Sequence, residues 1–312
     1  MTQKDILLMC PLHKPTQERL EDTYPGTRRL YAEADKGALI EKLAPTCEVV
    51  VTSGGVGIDA ATLSRMPKVK LVSCFGVGID AVDLPYCKSH GIAVTNTPDV
   101  LTDDVADLAV ALVLATVRRV VDADRYLRAG SWLKAAYPLT TAIRGRKVGI
   151  VGMGRIGQAI AHRMAAFGTE IAYFGPRPKQ VAYRYVDDPV ALGAWSDILI
   201  AACPGGEATR KVVSAKVLEA LGPKGYFVNI ARGSVVDQDA LIRLLTDKKL
   251  AGAGLDVFDD EPRVPKALID LDRVVLQPHH ASGTDETRKA MGDLTVGNVD
   301  AYFAGKPLLT PV

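Results

Sequence analysis

Short apolar runs that alternate with amphipathic segments dominate this chain. A first series has four such runs, at 5–10, 48–53, 69–75 and 91–96. A second series has six, at 147–152, 170–174, 197–202, 225–230, 253–258 and 273–278. Continuous apolar runs are typical of parallel strands buried on both faces. With helical segments between them, they predict an α/β fold in which the second series forms one doubly wound sheet.

A helical segment at 102–130 separates the two series. Thr102 is expected to cap its N-terminus, and Asp103 and Asp104 lie in the first turn, where the helix dipole favours negative charge. Gly130 is expected to end it. We therefore predict one long helix, whose apolar middle must be covered at a domain junction or a subunit interface.

Length, charge and cysteine content narrow the class of protein. The 312 residues predict two domains, and a net charge of +2 without basic or acidic runs gives no indication of nucleic acid or an anionic membrane. The five cysteines form no CxxC pair, so reduced thiols are expected and no metal site is predicted. The N-terminal residues resemble neither a signal peptide nor a membrane span, which favours a cytoplasmic protein.

The sequence GMGRIG follows the apolar run at 147–151 and opens a helical segment. Its glycines, Gly152, Gly154 and Gly157, have the G-x-G-x-x-G spacing of dinucleotide-binding loops. The first permits a tight turn, the second admits a pyrophosphate close to the backbone, and the third lets helix and strand pack. Phosphates would then lie at the helix N-terminus. The sequence therefore predicts a dinucleotide site here.

The end of the following strand indicates which dinucleotide is preferred. NAD sites carry an acidic residue there, to bind the ribose 2′-OH. This chain has Gly175 at that place, followed by Arg177 and Lys179. A guanidinium can pair with a 2′-phosphate, which a carboxylate would repel. We therefore expect NADP(H) to be preferred; if Arg177 is only solvated, NAD(H) can bind as well.

Three residues that follow strands of the second series could perform catalysis. In doubly wound sheets ligands bind beyond the carboxyl ends of the strands, where Arg232, Glu261 and His279 are expected. Histidine is suited to proton transfer near neutral pH, a neighbouring carboxylate stabilises its protonated form, and arginine can clamp a substrate carboxylate. We predict His279 as acid/base, Glu261 as its partner and Arg232 as anchor. His280 competes for the first role, but side-chain alternation directs only one of the pair toward the cleft.

Several blocks of this sequence resemble the D-isomer-specific 2-hydroxyacid dehydrogenases. They are GMGRIG, NIARGSVVDQDAL, GAGLDVFDDEP, LQPHHASGTDETR and VGIDAVDLPYCKSHGIAVTNTPDVLTDDVADLA, and the likeness runs from about residue 50 to 292. The resemblance implies the same catalytic trio, Arg232, Glu261 and His279. It also implies that Asp256 contacts the nicotinamide carboxamide and that Arg155 and Thr209 contact cofactor phosphates. Further cofactor contacts are expected at Ile156, Cys203, Pro204, Ile230, Ala231, His279, Ser282 and Gly283.

The resemblance further implies a discontinuous architecture with two Rossmann-like domains. A doubly wound, parallel-sheet domain that binds NADP(H), residues 99–283, is expected to be inserted in a smaller flavodoxin-like substrate domain, residues 1–98 with 284–312. The helix and arm at about 102–141 would form a homodimer. Trp132 or Tyr137 from this arm could reach the partner's active site, or be a simple interface aromatic.

Within the family, the sequence is most similar to NADPH-dependent glyoxylate/hydroxypyruvate reductases. The expected reaction is reduction of glyoxylate and hydroxypyruvate to glycolate and D-glycerate by hydride transfer. Two alternatives stay open: a reductase of larger 2-oxo acids such as phenylpyruvate, or a dinucleotide-sensing binding protein like the corepressors that share this fold. The intact trio favours an enzyme.

The hexapeptide GVGIDA occurs twice, at 55–60 and 76–81. Neither copy has a third glycine at the offset of a nucleotide loop, but each follows a predicted strand and can offer backbone N–H groups to an anion. By the resemblance, Val77 and Gly78 bind the substrate carboxylate opposite Arg232, and Ser53 and Gly54 border the same pocket.

Overall fold

The computed structural model describes residues 4–312. The chain divides into two compact units. The first consists of Met1–Leu101 and Ser282–Val312, and the second of Thr102–Ala281. Each unit contains a parallel sheet, which confirms the predicted α/β class. No helix within residues 4–312 is long and apolar enough to cross a bilayer.

The first unit is built on a five-stranded sheet of order β2-β1-β3-β4-β5. Its strands are β1 (Asp5–Leu8), β2 (Gly26–Arg29), β3 (Val49–Ser53), β4 (Leu71–Phe75) and β5 (Ala93–Thr95). The helices before residue 90 are α1 (Lys14–Thr23), α2 (Lys36–Leu43), α3 (Ala60–Ser64) and α4 (Leu84–Ser89). All four strand pairs are parallel.

Both faces of this sheet are covered. On one face Ile6 and Leu8 of β1 belong to a core cluster that includes Val296 and Val299 of the C-terminal helix. On the other face Leu7 packs in a cluster with α2. Successive residues of a strand point to opposite faces, so a strand covered on both sides must be apolar at consecutive positions.

The second unit contains seven parallel strands in the order β12-β11-β10-β9-β6-β7-β8. They are β6 (Lys147–Val151), β7 (Glu170–Phe174), β8 (Arg184–Tyr185), β9 (Ile198–Ala201), β10 (Tyr226–Asn229), β11 (Gly252–Leu255) and β12 (Val274–Leu276). The chain runs outward from β6 in one direction to β8 and in the other to β12. The loop after β6 therefore lies at the topological switch point, where doubly wound sheets bind ligands.

Seven helices belong to the second unit. They are α5 (Thr102–Val117), α6 (Val120–Arg128), α7 (Arg155–Ala166), α8 (Pro189–Trp195), α9 (Ala215–Leu221), α10 (Gln238–Thr246) and α11 (Lys266–Ile269). The last helix of the chain, α12 (Asp285–Phe303), returns to the first unit, and the Thr284 side chain caps its N-terminus.

The prediction of one long helix at 102–130 is wrong. The helix breaks at Arg119, which has a left-handed backbone (φ 52°) and pairs with Asp122 in the next helix at 2.6 Å. α5 buries eight residues whereas α6 buries none, so the break separates a core helix from a surface helix. Thr102 is the first helical residue rather than the cap, while Asp103 and Asp104 do lie in the first turn.

Every predicted strand is present, but two strands were not predicted. β2 has the sequence GTRR and β8 consists only of Arg184 and Tyr185. Both lie at the edge of their sheet, where one side of the strand is open and apolar residues are not required. The second sheet therefore has seven strands instead of the predicted six.

Candidate active site

The glycine loop joins β6 to α7 at the switch point. Gly152 has φ 103°, and a Cβ placed on it would lie 2.6 Å from the Cα atom of Cys203. A Cβ on Gly157 would collide with the carbonyl oxygen of Gly152. Gly154, the N-cap of α7, has open space where its Cβ would be. Two glycines thus permit close packing, and the middle one leaves room for a ligand to approach the backbone at the helix N-terminus.

The loop after β9 packs directly against the glycine loop. Cys203 is buried, and burial raises the pKa of its thiol to about 11. Such a thiol stays protonated at neutral pH and is a poor nucleophile. Cys203 therefore serves to pack against the glycine loop. The Thr209 hydroxyl donates to the Pro204 carbonyl at 2.7 Å, which fixes the turn in which the two residues lie.

At the end of β7 the structure places the residues predicted to select the cofactor. Gly175 is buried, and Arg177 and Lys179 are exposed. No carboxylate lies between Phe174 and Arg184 in the sequence. The acidic partner that NAD sites offer to the ribose 2′-OH is therefore missing from this segment.

His279 and Glu261 form a direct contact. The Nδ1 atom of His279 lies 2.6 Å from Oε2 of Glu261, and Oε1 of Glu261 accepts the N–H of Phe258 at 3.0 Å. Burial alone would raise the pKa of Glu261, but the hydrogen bonds from His279 and Phe258, with the charges of His279 and Arg232, lower it below its ordinary value. Glu261 is therefore a carboxylate at neutral pH, and the structure brings it together with His279.

Two buried polar residues shape this site through hydrogen bonds that the sequence did not reveal. The Asn229 Oδ1 atom accepts the N–H of Ala231 at 3.0 Å, and its amide donates to the Arg232 carbonyl at 2.9 Å. Asn229 thereby fixes the turn that carries Arg232. The only sign of this role in the sequence is an asparagine at the end of an apolar strand, and the sequence does not show which groups that asparagine binds.

Asp256 has the corresponding role for the turn that carries His279. It is fully buried; its two carboxylate oxygens accept the N–H groups of His280 at 2.7 Å and Ala281 at 3.0 Å, and its carbonyl accepts that of His279 at 2.8 Å. Burial raises the pKa of Asp256, and these hydrogen bonds oppose the rise. The sequence predicted a nicotinamide contact for Asp256; that contact stays a prediction, while the structure shows it holding the turn.

His279 itself has a left-handed backbone, with φ 51°. Such a conformation is uncommon for a residue with a side chain, and it is concentrated at functional sites. Of the adjacent histidines, His279 is the one that contacts Glu261, whereas His280 contributes its backbone N–H to Asp256. The turn thus distinguishes the two residues.

In the first unit the predicted substrate loops follow β3 and β4, where Ser53 stands opposite Phe75. The carbonyl of Val77 accepts the side-chain amide of Asn96 at 2.9 Å, and the Gly76 N–H donates to Thr97 at 3.1 Å. The loop with Val77 and Gly78 is therefore held by residues that follow β5. Carboxylate binding by Ser53, Gly54, Val77 and Gly78 stays a prediction.

The two GVGIDA copies have different conformations. In the first copy Gly57 has φ 61°, and Asp59 caps α3; in the second copy Gly76 has φ 143°, and Asp83, outside the hexapeptide, caps α4. A Cβ on Gly57 would collide with the Ala81 carbonyl, so the copies also touch. Their identical letters do not make a structural repeat.

Two further predicted residues, Trp132 and Tyr137, lie in the arm. Trp132 is 66% exposed, whereas the Tyr137 hydroxyl donates to Asp122 of α6. Tyr137 is thus held by its own chain, and the predicted reach of Trp132 toward a partner stays untested. Within residues 4–312, no cluster of His, Cys, Asp and Glu side chains is arranged to hold a metal ion.

Comparison with known proteins identifies the family. Residues 110–281 match the model of the D-isomer specific 2-hydroxyacid dehydrogenase NAD binding domain. Glyoxylate/hydroxypyruvate reductase A of Arabidopsis thaliana is 48% identical over 308 residues, 98% of each chain. Hydroxyphenylpyruvate reductase of Plectranthus scutellarioides is 46% identical over the same share of both.

A solved structure gives the same result. The NADPH-dependent glyoxylate/hydroxypyruvate reductase of Sinorhizobium meliloti, in complex with NADP and malonate, has 40% identity and a TM-score of 0.91, covering 100% of this chain and 97% of that one. This chain belongs to the D-isomer-specific 2-hydroxyacid dehydrogenases, a family of nicotinamide-dependent oxidoreductases. The predicted family and two-domain Rossmann architecture are thereby confirmed.

Proposed function

We propose that the protein reduces small 2-oxo acids, glyoxylate and hydroxypyruvate first, to the corresponding 2-hydroxy acids with NADPH. The observation that carries the proposal is the 2.6 Å contact between His279 and Glu261, and the positive charge of Arg232 contributes to the lowered pKa of Glu261. All three residues follow strands of the sheet whose switch point carries the glycine loop. Ligands bind at this edge of such sheets.

The residues at the switch point fit a nicotinamide dinucleotide. The space beside Gly154 can admit a pyrophosphate at the N-terminus of α7, where the helix dipole favours an anion. When bound, NADPH supplies a hydride for the carbonyl carbon of the 2-oxo acid. We propose that the cofactor-binding residues predicted from the sequence hold this dinucleotide, with the glycine loop as the central element.

The protein's own side chains have three tasks in this reaction. His279 donates a proton to the carbonyl oxygen as that oxygen becomes an alkoxide. Glu261 orients the imidazole ring by its contact with Nδ1. Arg232 pairs with the substrate carboxylate, for which its planar fork of N–H donors is suited. The product is a 2-hydroxy acid, and the proton balance closes when His279 is reprotonated from water.

The preference for NADPH over NADH is part of the proposal. It is supported by Arg177 and Lys179, by the missing carboxylate after β7, and by the NADP that the Sinorhizobium relative binds. The exposed guanidinium of Arg177 can form paired, charge-assisted hydrogen bonds with a 2′-phosphate.

A second candidate is the reduction of larger, aromatic 2-oxo acids. The Plectranthus relative, named for hydroxyphenylpyruvate, is almost as similar as the Arabidopsis protein. The catalytic residues would have the same tasks with either substrate, because both offer a carbonyl beside a carboxylate. Only the space around the substrate's third group would differ.

We also propose that the arm mediates a homodimer. Val120, Leu127, Trp132, Leu133 and Leu139 are all more than half exposed, which is unusual for large apolar side chains so close in sequence. A cytoplasmic location is likewise an expectation from the sequence.

The decisive experiment is a panel of 2-oxo acids with NADPH or NADH, followed by the loss of reduced-cofactor absorbance. The proposal requires turnover of glyoxylate and hydroxypyruvate, with a lower KM for NADPH than for NADH. A higher kcat/KM for phenylpyruvate or hydroxyphenylpyruvate would favour the second candidate. Absence of turnover across the panel, with NADPH binding retained, would refute both.

A further inference from the structure

The segment Gly175–Lys179, which carries Arg177, is held at both ends by tyrosine hydroxyls. The hydroxyl of Tyr185 donates to the carbonyl oxygen of Gly175 at 3.0 Å. The N–H of Lys179 donates to the hydroxyl oxygen of Tyr173 at 2.7 Å. One tyrosine thus fixes the first residue of the segment, and the other fixes the last.

The two tyrosines are neighbours in the sheet. Tyr173 of β7 pairs with Tyr185 of β8 in the parallel register, and their ring centroids are 5.4 Å apart. Tyr173 is 1% exposed, so its ring is locked in the core. β8 is only two residues long and adds little to the sheet, but it places the second hydroxyl at the start of the segment.

The sequence of the segment makes it stiff as well. Arg177 stands between Pro176 and Pro178, each of which fixes its own φ and restricts the residue before it. With both ends held by hydrogen bonds, the backbone beneath Arg177 has little freedom left. A binding group on a rigid backbone loses less entropy when its ligand arrives.

We propose that Tyr173 and Tyr185 are positioning residues for the recognition of the 2′-phosphate of NADPH, acting through the segment that carries Arg177 and Lys179. This inference rests on the cofactor preference proposed above. The phenol rings support the fold in any case, whereas the hydroxyl groups serve the backbone of this segment. Removing only the hydroxyls therefore separates positioning from packing.

The test uses two small probes, adenosine 2′,5′-bisphosphate, which carries the 2′-phosphate, and 5′-AMP, which lacks it. Calorimetric titration compares the wild-type protein with the single variant Tyr185→Phe and the double variant Tyr173→Phe/Tyr185→Phe. We expect the double variant to bind the bisphosphate about five- to tenfold more weakly, the scale of one or two ordinary hydrogen bonds. Binding of 5′-AMP should change less than twofold, and KM should rise for NADPH but not for NADH.

Two further variants serve as references. Arg177→Ala removes the proposed phosphate ligand itself. Tyr226→Phe removes a hydroxyl that contacts Thr141, at the opposite, amino end of the sheet, and should leave both probes unaffected. Tyr185→Phe is the milder variant because Tyr185 is only half-buried, and it keeps the test valid if the double variant folds poorly.

The outcomes are distinguishable. If the wild-type protein does not prefer the bisphosphate, or if Arg177→Ala leaves that preference unchanged, the proposed cofactor preference fails. If the preference depends on Arg177 but survives in both tyrosine variants, the positioning role is overturned. Equal weakening of both probes would likewise overturn it, since it would reveal only a structural role for the hydroxyls.

Discussion

The imidazole of His279 and the carboxylate of Glu261 are joined by a 2.6 Å contact between Nδ1 and Oε2. The other oxygen of Glu261 is bound to the backbone of Phe258, so the carboxylate cannot turn away without losing a hydrogen bond. With Nδ1 directed at Glu261, Nε2 lies on the opposite side of the ring. The pair therefore orients one ring nitrogen for proton transfer.

His279→Ala should abolish most of the 2-oxo acid reduction. General acid catalysis contributes about 100- to 10,000-fold, so kcat should fall by that order. Stopped-flow or steady-state measurement of NADPH consumption gives kcat, and fluorescence titration should show unchanged NADPH binding. The matched control is His280→Ala, because His280 uses only its backbone at Asp256. Greater loss in the control than in His279→Ala would assign the proton transfer to His280.

Glu261 should make stability depend on pH in the acidic range. Its pKa is lowered in the folded protein below the ordinary value of 4.5. The folded state thus favours the charged form, and this contribution is fully present above pH 4.5 and is lost as the pH falls through the lowered pKa. The wild type and Glu261→Gln should differ in unfolding free energy by a constant amount between pH 6 and pH 4.5. Below pH 4.5 this difference should shrink. Denaturant titrations in acidic buffers measure it; a difference that does not shrink would contradict the pairing.

Asp256→Asn should lower the catalytic rate indirectly, by disturbing the turn that carries His279. An asparagine oxygen can replace one carboxylate acceptor, but its NH₂ group would then face the second N–H, of His280 or Ala281. One buried N–H without an acceptor costs about 1–3 kcal/mol. We expect a loss of this order in the free energy of unfolding and a lower kcat, because the turn that carries His279 is disturbed.

The control for this variant is Asp260→Asn. Asp260 is an exposed neighbour whose carboxylate pairs with Arg263 on the surface. Exposed pairs of this kind contribute little, so both stability and kcat should stay near the wild-type values. Equal effects of the two substitutions would show that the buried hydrogen bonds of Asp256 do not support the site.

A charged residue in the exposed apolar arm should dissociate the proposed homodimer. Leu133 and Leu139 are 93% and 100% exposed, so in a monomer their replacement by aspartate costs little. In a dimer interface each substitution would bury an unpaired charge. Light scattering after size exclusion should show Leu133→Asp/Leu139→Asp as a monomer and Leu309→Asp, at an exposed residue of the first unit, as a dimer. A wild-type monomer would refute the dimer itself.

Much of this fold follows from a few physical constraints that sequence displays directly. Strands covered on both faces must be apolar, so they are visible in the sequence as continuous apolar runs. All ten strands predicted from such runs are present. Close approaches of backbone require glycine, which made the switch-point loop recognisable. Residues that follow these strands share one edge of the sheet, which is why the sequence alone predicts Arg232, Glu261 and His279 as a catalytic trio.

The features that were missed have no pattern that is visible in the sequence. No glycine or proline marks the break at Arg119; the turn is stabilised by the pairing of its side chain with Asp122. The edge strands β2 and β8 lack the apolar pattern of buried strands. Asn229 binds backbone groups of the turn that follows it, and Asp256 binds the distant turn at His280 and Ala281; no spacing rule points to either set of contacts.

A network of hydrogen bonds from the C-terminus to the loop at Val77 yields a final prediction. Asn298 of α12 is fully buried; its Oδ1 accepts the N–H groups of Leu309 and Thr310, and its amide donates to the Thr310 hydroxyl at 2.9 Å. That hydroxyl donates to the carbonyl of Asn96, whose side chain holds Val77. The C-terminal residues are thereby tied to a predicted substrate loop.

Asn298→Ala should therefore destabilise the protein and weaken substrate binding. Loss of these bonds leaves buried polar groups without partners and should cost about 2–3 kcal/mol. Calorimetry should show a melting temperature lower by several degrees, while the exposed Lys306→Ala should melt like the wild type. If the loop at Val77 binds the substrate carboxylate, KM for glyoxylate should rise with kcat little changed and KM for NADPH unaffected. A lower melting temperature with an unaltered KM for glyoxylate would confine the network to a structural role.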